Sequence, residues 1–497
     1  MTSADTRRRE GTAHLVDIEV DRASHVPLAR QLYLALREGI VAGRMPPGER
    51  LPSTRAASRL WGVSRGLVTE AYETLLSEGY AIGRVGSGTY VSTDVPERAA
   101  RPGGAGWVAP EHGRLISRAA RAVATPVPQL ADPPLGIPFI MGRTPPDAKT
   151  RGVLTRIAHR HLGALSDHYR DPQGEEVLRE AVAAYLLAAR GVRCLPSQIF
   201  ITAGSQQAID LAIRTLIDPG DVVAVENPCY PPARLALTVH GARLAAVPVD
   251  GDGLDVTALA ALAAAPRAIY VTPSHQYPTG TVLSMARRLA LLDWAAATGA
   301  WVIEDDYDSE FRYDDRPLAA LQGVDEHHCV IYAGTFSKAL LPGLRLGYLV
   351  VPEDLVPAFR VMRALLDRFP APFQQLVVAD FLAEGHFSSH LRRLREAYRA
   401  SRDVLVSLLH ARLADHLRVD SPHQGVHLLA RLGAGRNDVT LAKAARRHGV
   451  AVLPVSPMHV APMPLHGFLF GFSGLTHAEA DLGTAGLAAM FAAFKPG

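Results

Sequence analysis

The chain has almost no lysine: its basic residues are arginines apart from Lys149, Lys338, Lys443 and Lys495. Any chemistry that needs a primary amine therefore has few places to look. Cysteine is equally scarce. Cys194, Cys229 and Cys329 are odd in number, far apart and without a CxxC spacing, which excludes a disulfide framework and a cysteine zinc site; reduced, mostly buried thiols and no bound metal are expected. No apolar run approaches the length of a membrane span, since stretches such as Ala181 to Ala189 are short and bounded by Arg, Pro or Gly. The first ten residues are polar and end in Arg7, Arg8 and Arg9 before Glu10, with no apolar core behind them, so a secretory signal is not expected and a cytoplasmic location is.

What remains is a globular composition, 48% hydrophobic and 20% charged, over 497 residues, enough for two or three domains. The net charge of +3 is small but unevenly placed. Residues 25–92 hold eight Arg against five Glu, so this segment alone carries a positive excess. Residues 93–135 are rich in Pro, Gly, Ala and Arg and read as a linker, long for a loop inside one domain. From 136 to 497, short β-rich runs at Val222 to Val225, Ala268 to Thr272, Trp301 to Glu304 and Val330 to Ala333 alternate with helical segments such as Met285 to Thr298. That alternation predicts an α/β domain with a mainly parallel sheet. Polar clusters follow three of these runs directly, as SHQYPTG, DDYDSE and GTFSK, where ligands of such sheets bind.

Helix-turn-helix punctuation occupies Leu51 to Val91. Ser53 is placed to cap a short helix ending near Trp61, Gly62 supplies the turn, and Ser64 caps a second helix running to about Glu78. Leu67, Ala71 and Leu75 are expected to face inward, which leaves Arg65 and Thr69 together on another face, in reach of bases and phosphates. Tyr80 to Ile82 and Thr89 to Val91 read as a hairpin whose tip, Gly86-Ser87-Gly88, lets backbone approach phosphate. On spacing alone a plain helical bundle with a hairpin fits as well. The run LPSTR, GVSR, LLSEGY and GSGTYV resembles the winged helix-turn-helix of GntR-type regulators. That resemblance implies contact with double-stranded DNA by Arg55, Ser64, Arg65, Thr69 and Gly86.

An aldehyde cofactor such as pyridoxal 5'-phosphate needs an amine, a carboxylate for its ring nitrogen, a hydroxyl for its ring oxygen and donors for its phosphate. Lys338 follows the strand at 330–333, with Thr335 and Ser337 before it and Arg345 seven residues on. Asp305 and Tyr307 follow the strand WVIE, and Gly204-Ser205-Gln206 opens a helix whose amides face an incoming anion. Singly, each is equally a solvated loop residue. Residues 136 to 497, with HYRDPQG, ITAGSQQAIDLAIR, SHQYPTG, EDDYDSEFRY and TFSKALLPGLRLGY, resemble fold type I aminotransferases in the form found in the MocR branch of GntR regulators. The resemblance implies Lys338 as the Schiff-base lysine, Asp305 on the pyridine nitrogen, Tyr307 on the ring oxygen, and Ser205, Gln206, Thr335, Ser337 and Arg345 about the phosphate. It further implies Tyr230 as a ring stacked on the cofactor, and a homodimer.

Two departures bear on activity. After Arg447 no basic residue except histidine occurs before Lys495, so the carboxylate-clamping arginine of aminotransferases is missing, His466 standing in its segment, unless Arg234 or another arginine reaches the site. Tyr277 replaces the Asn that many aminotransferases place before Pro-Thr-Gly, leaving His275 or Gln276 as substitutes. The expected function is a cofactor-dependent transcription regulator that senses pyridoxal phosphate, or an amine or amino acid, and in the first case resembles regulators of vitamin B6 synthesis. An aminotransferase with an appended DNA-binding domain is the alternative.

Overall fold

The computed structural model describes residues 18–95, 116–123, 139, 141–163, 168–313 and 318–493. Two compact units divide the chain, Met1–Leu115 and Ile116–Gly497. Most of the stretch expected as a linker, 93–135, lies outside the described residues. Within it, Ser117 caps a five-residue helix, Arg118–Ala122, that packs on the helix Pro231–His240 and so belongs to the second unit.

In the first unit three helices, α1 (Leu28–Val41), α2 (Thr54–Leu60) and α3 (Arg65–Ser77), precede a hairpin of β1 (Ala81–Arg84) and β2 (Gly88–Val91). Local chemistry sets each boundary. The Ser53 hydroxyl accepts from the Ala56 amide at 3.3 Å and that of Ser64 from the Leu67 amide at 3.4 Å, satisfying amides that a helix start leaves bare. Gly62 between the helices and Gly79 after α3 adopt φ of +60° and +81°, which side chains resist. The buried face of α3 is Val68, Ala71, Tyr72 and Leu75, and Leu67 is only half-buried, so the expected inward face is off by one residue at its start. The 68/71/72/75 spacing centres the stripe on α1, where Leu32, Leu36 and Ile40 complete the core.

The second unit is built on an eight-stranded sheet. Its strands are β3 (Ile199–Thr202), β4 (Val222–Asn227), β5 (Arg243–Asp250), β6 (Gly253–Leu254), β7 (Ala268–Val271), β8 (Trp301–Asp306), β9 (Val330–Thr335) and β10 (Gly347–Val350), in the order β3-β10-β9-β8-β7-β4-β5-β6. The run from β9 to β5 is parallel; β10 lies antiparallel to β9 and β3, and β6 to β5. Alternate residues go to opposite cores. Tyr332 and Tyr348 pack with the helices Glu176–Arg190 and Pro372–Ala383, while Ile331, Ala333 and Leu349 pack with Ser205–Leu216 and Pro231–His240. Burial on both faces is why the strands read as continuous apolar runs.

A second sheet, not anticipated from the sequence, is antiparallel: β11 (Leu417–Val419), β12 (His427–Leu432), β13 (Leu453–Pro454) and β14 (Gly467–Gly471), ordered β11-β12-β14-β13. It shares a core with the long helix His386–Leu413 and the helix His477–Ala493. Two of its strands have two or three residues, too few to show a period. Among the described residues no helix is long and apolar enough to cross a membrane. Cys229 and Cys329 are buried and Cys194 half-buried, all three unbridged.

Candidate functional site

The carboxyl ends of β8 and β9 open onto a cavity of about 300 Å³. Every residue expected around a cofactor lines it: Lys338, Asp305, Tyr307, Ser205, Gln206, Tyr230, Thr335, Ser337 and Arg345. Each arrives by a different local device. Asp305 is the penultimate residue of β8, and Thr335 ends β9, its hydroxyl accepting from the Ser337 amide at 3.1 Å to turn the chain toward Lys338. Ser205 opens a helix with its free amides toward the cavity. Arg345 is held in the left-handed region at φ +49°, a cost of about 1–2 kcal/mol for a residue with a side chain, and donates to the Ala203 carbonyl at 2.8 Å.

Three features fit this cavity to an aldehyde cofactor with a phosphate. First, burial lowers the pKa of the Lys338 amine, favouring the uncharged, nucleophilic form. A Cβ on Gly142, itself at φ +79°, would lie 2.1 Å from the Lys338 Nζ, so the loop leaves open the space this amine occupies. Second, Asp305 is buried, its Oδ2 accepts from the Tyr270 hydroxyl at 2.6 Å, and its Oδ1 is buried with no partner. Burial, with Asp306, Asp308 and Glu304 nearby, pushes its pKa up to about 7 against the pull of Tyr270. A carboxylate so placed lacks a donor that a ring N–H would supply. Third, Ser205, Thr335, Ser337 and Arg345 all line the cavity, and Ser205 opens a helix, so hydroxyls, a guanidinium and a helix N-terminus make up a donor set suited to a phosphate dianion.

The Tyr307 hydroxyl donates to the His275 carbonyl at 3.0 Å. Behind it the His275 Nδ1 lies 2.9 Å from the Asp308 carboxylate, and the His427 ring stacks on Tyr307 at 6.3 Å. His275 and Gln276 therefore do not take the place of the missing Asn. The Gln276 amide donates to the carbonyls of Pro228 and Tyr277 at 2.9 and 2.7 Å, and the cavity is lined by Tyr277 itself, edge-on to Tyr230 at 5.1 Å. Thr272, Met141, Val426 and Leu453, with Pro232 and Pro342, also line the wall and were not anticipated. Among the described residues Arg345 carries the only guanidinium lining the cavity. Arg234 spends its donors on the carbonyls of His459 and Pro457, at 2.8 and 3.0 Å, and His466 faces Asp438 at 3.3 Å.

In the first unit Arg55, Ser64, Arg65 and Gly86 are exposed and Thr69 is half-buried. Arg65 leans on α2 through a 3.1 Å bond to the Thr54 hydroxyl, while Thr69 returns its hydroxyl to the Arg65 carbonyl at 3.0 Å. Arg55 on α2 and Arg65 at the start of α3 are thus presented by two adjoining helices, with Gly86 in the turn between β1 and β2, where Val85 is fully exposed.

Residues 28–91 match the model of bacterial regulatory proteins of the gntR family, and residues 145–477 that of aminotransferase class I and II. The chain is 38% identical to a probable rhizopine catabolism regulatory protein, MocR, of Rhizobium meliloti, over 92% of each chain. It is 32% identical to the pyridoxine biosynthesis transcriptional regulator PdxR of Corynebacterium glutamicum, over 94% of this chain and 97% of that one. Among solved structures it is similar to the α-aminoadipate aminotransferase LysN of Thermus thermophilus, complexed with N-(5'-phosphopyridoxyl)-L-leucine. There the TM-score is 0.66 at 27% identity, over 76% of this chain and 95% of the other.

Proposed function

Because the chain belongs to the MocR-type branch of the GntR family of bacterial regulatory proteins, we propose that its affinity for a promoter is set by what occupies the Lys338 cavity. It is a transcription regulator with a DNA-binding helix-turn-helix, and its cofactor is pyridoxal 5'-phosphate. When bound, the cofactor supplies an aldehyde for a primary amine and a ring that absorbs visible light once joined to it.

The chain's residues divide the remaining work. Lys338 offers the amine, and its burial favours the uncharged form. Asp305 would accept the ring N–H through its unpartnered Oδ1, Tyr307 would redirect its hydroxyl from the His275 carbonyl to the ring oxygen, and Tyr230 would cover a ring face. Ser205, Gln206, Thr335, Ser337 and Arg345 hold the phosphate. Arg55, Ser64, Arg65, Thr69 and Gly86 contact the DNA, and a homodimer presents two such units to paired half-sites.

The observation that carries this reading is the cavity's set of donors. Hydroxyls and one guanidinium suit a phosphate, whereas Met141, Val426 and Leu453 contribute apolar wall and, among the described residues, no second guanidinium lines it to clamp a carboxylate. Such a site holds the cofactor and grips an amino acid poorly. Pyridoxal phosphate is therefore itself the effector, and vitamin B6 synthesis is the target, in keeping with the pyridoxine biosynthesis named for the Corynebacterium relative. The intact amine and carboxylate pair favours a second reading, in which an amine or amino acid exchanges onto the cofactor as effector or, at the extreme, as aminotransferase substrate.

The test pairs absorbance with DNA binding. Wild type and Lys338→Ala are mixed with pyridoxal phosphate, and affinity for a DNA site selected from random sequence is measured with and without it. A visible band lost in the variant, together with cofactor-dependent DNA affinity in the wild type, supports the proposal. Indifferent DNA affinity moves the effector to an amine, and absence of the band in wild type removes Lys338 from its role.

A further inference from the structure

Asp305 uses its two oxygens unequally. Oδ2 accepts the 2.6 Å hydrogen bond from Tyr270, and Oδ1 is buried without a partner. Tyr270 belongs to β7 and pairs in register with Ile303 of β8, two residues before Asp305. Residues two apart on a strand share a face, so the phenol and the carboxylate leave neighbouring strands on the same side of the sheet. The Tyr270 ring is wholly buried in the core that contains Ile303, Ala333 and Phe200, which leaves its hydroxyl a single direction.

The phenol is a fixed donor. Burial, followed by the charge of Asp305, holds its pKa well above the usual range, so it keeps its proton through the neutral range. Oδ2 is consequently always an acceptor, and a proton arriving at Asp305 can settle only on Oδ1, the one oxygen left for a ring nitrogen. Burial already pushes the Asp305 pKa up to about 7, and the Tyr270 hydrogen bond works against that push. Without it, the carboxyl would be protonated over more of the neutral range and Oδ1 would be free to rotate away.

We propose that Tyr270 is a positioning residue: by occupying Oδ2 it keeps Asp305 ionised and aims Oδ1 at the ring nitrogen of the cofactor. The proposal rests on the reading of Asp305 given above. It assigns a role in the site to a side chain that is not among those lining the cavity.

The experiment compares pyridoxal phosphate with its deaza analogue, in which carbon replaces the ring nitrogen, measuring affinity by absorbance and by fluorescence during dialysis. Wild type is expected to prefer the natural cofactor. Tyr270→Phe, which removes one oxygen and keeps the ring, should lose about tenfold for pyridoxal phosphate, the worth of a hydrogen bond to a charged group, and little for the analogue. Its midpoint pH for binding the natural cofactor should also move upward. Asp305→Asn, which still accepts from Tyr270 but carries no charge, should show the same selective loss even if the Phe variant folds poorly. Equal losses for both cofactors in Tyr270→Phe, or no loss for either, would overturn the role of Tyr270 alone. A wild type that binds both equally would overturn the reading of Asp305 and the proposal with it.

Discussion

The two units keep their working side chains under opposite conditions. In the first, Arg55, Ser64 and Arg65 stand in solvent on short helices, and the bonds that place them span at most eleven residues of sequence. In the second, Lys338, Asp305, Ser205 and Tyr230 converge on a buried cavity from segments spread over more than a hundred residues. A polymer can be met by a surface, so its contacts need only local geometry. A small cofactor must be enclosed, so its contacts depend on the whole sheet and on charges kept out of water. Damage should therefore spread differently in the two: gradual and additive in the first, abrupt in the second.

Gly142→Ala should sharpen that contrast most. The added carbon meets the Lys338 amine and strains a positive φ, so cofactor affinity should fall about a hundredfold, equivalent to about 2.7 kcal/mol, with DNA-binding chemistry in the first unit untouched. Equilibrium dialysis measures the loss. Asp305→Asn should do the reverse for the cofactor-free protein and stabilise it. Asp305 is raised in the folded state from 3.8 to about 7, so its burden appears as pH rises through that window and is complete above it. Thermal melts should show the variant more stable by about 2 kcal/mol at pH 8, discounted from the full shift, and no different near pH 3.

Arg65→Ala should cost about 1–2 kcal/mol in DNA affinity, lower its salt dependence and leave the cofactor's absorbance unchanged. A changed absorbance would break the separation drawn here. Ser53→Ala, the smallest effect, removes the α2 cap and should destabilise the first unit by about 1 kcal/mol, read as a shift in urea midpoint.

How much of this was legible depended on how local the cause was. Ser53, Gly62 and Ser64 mark their boundaries within four residues, and α2 and α3 begin where those caps stand. The inward face of α3 shares Ala71 and Leu75 with the expected one but starts at Val68 and includes Tyr72 instead of Leu67, because the partners of those side chains lie on α1, far away in sequence. Lys338, Asp305 and Tyr307 stand out as polar residues at the ends of apolar strands, but singly each fits a solvated loop, and their roles are what the resemblance to fold type I aminotransferases implies. Met141, Val426 and Leu453 do not stand out, since nothing in an apolar residue distinguishes a cavity wall from a core, and Tyr270 looked like one more strand aromatic. The alternative to a missing clamp, that Arg234 reaches the site, finds no support, because its guanidinium is engaged by two backbone carbonyls that sequence does not show. The antiparallel second sheet left little period to read in strands as short as β11 and β13.

Gly142 carries a wider consequence. The Lys338 amine has its room because of a vacancy, a position whose contribution is to have nothing there. A survey that scores positions by the functional group they bear would rate residue 142 as inert, and one that scores them by harm on substitution would rank it beside Lys338. The two surveys disagree wherever a protein reserves space for a ligand, and that disagreement is itself a way to find such spaces.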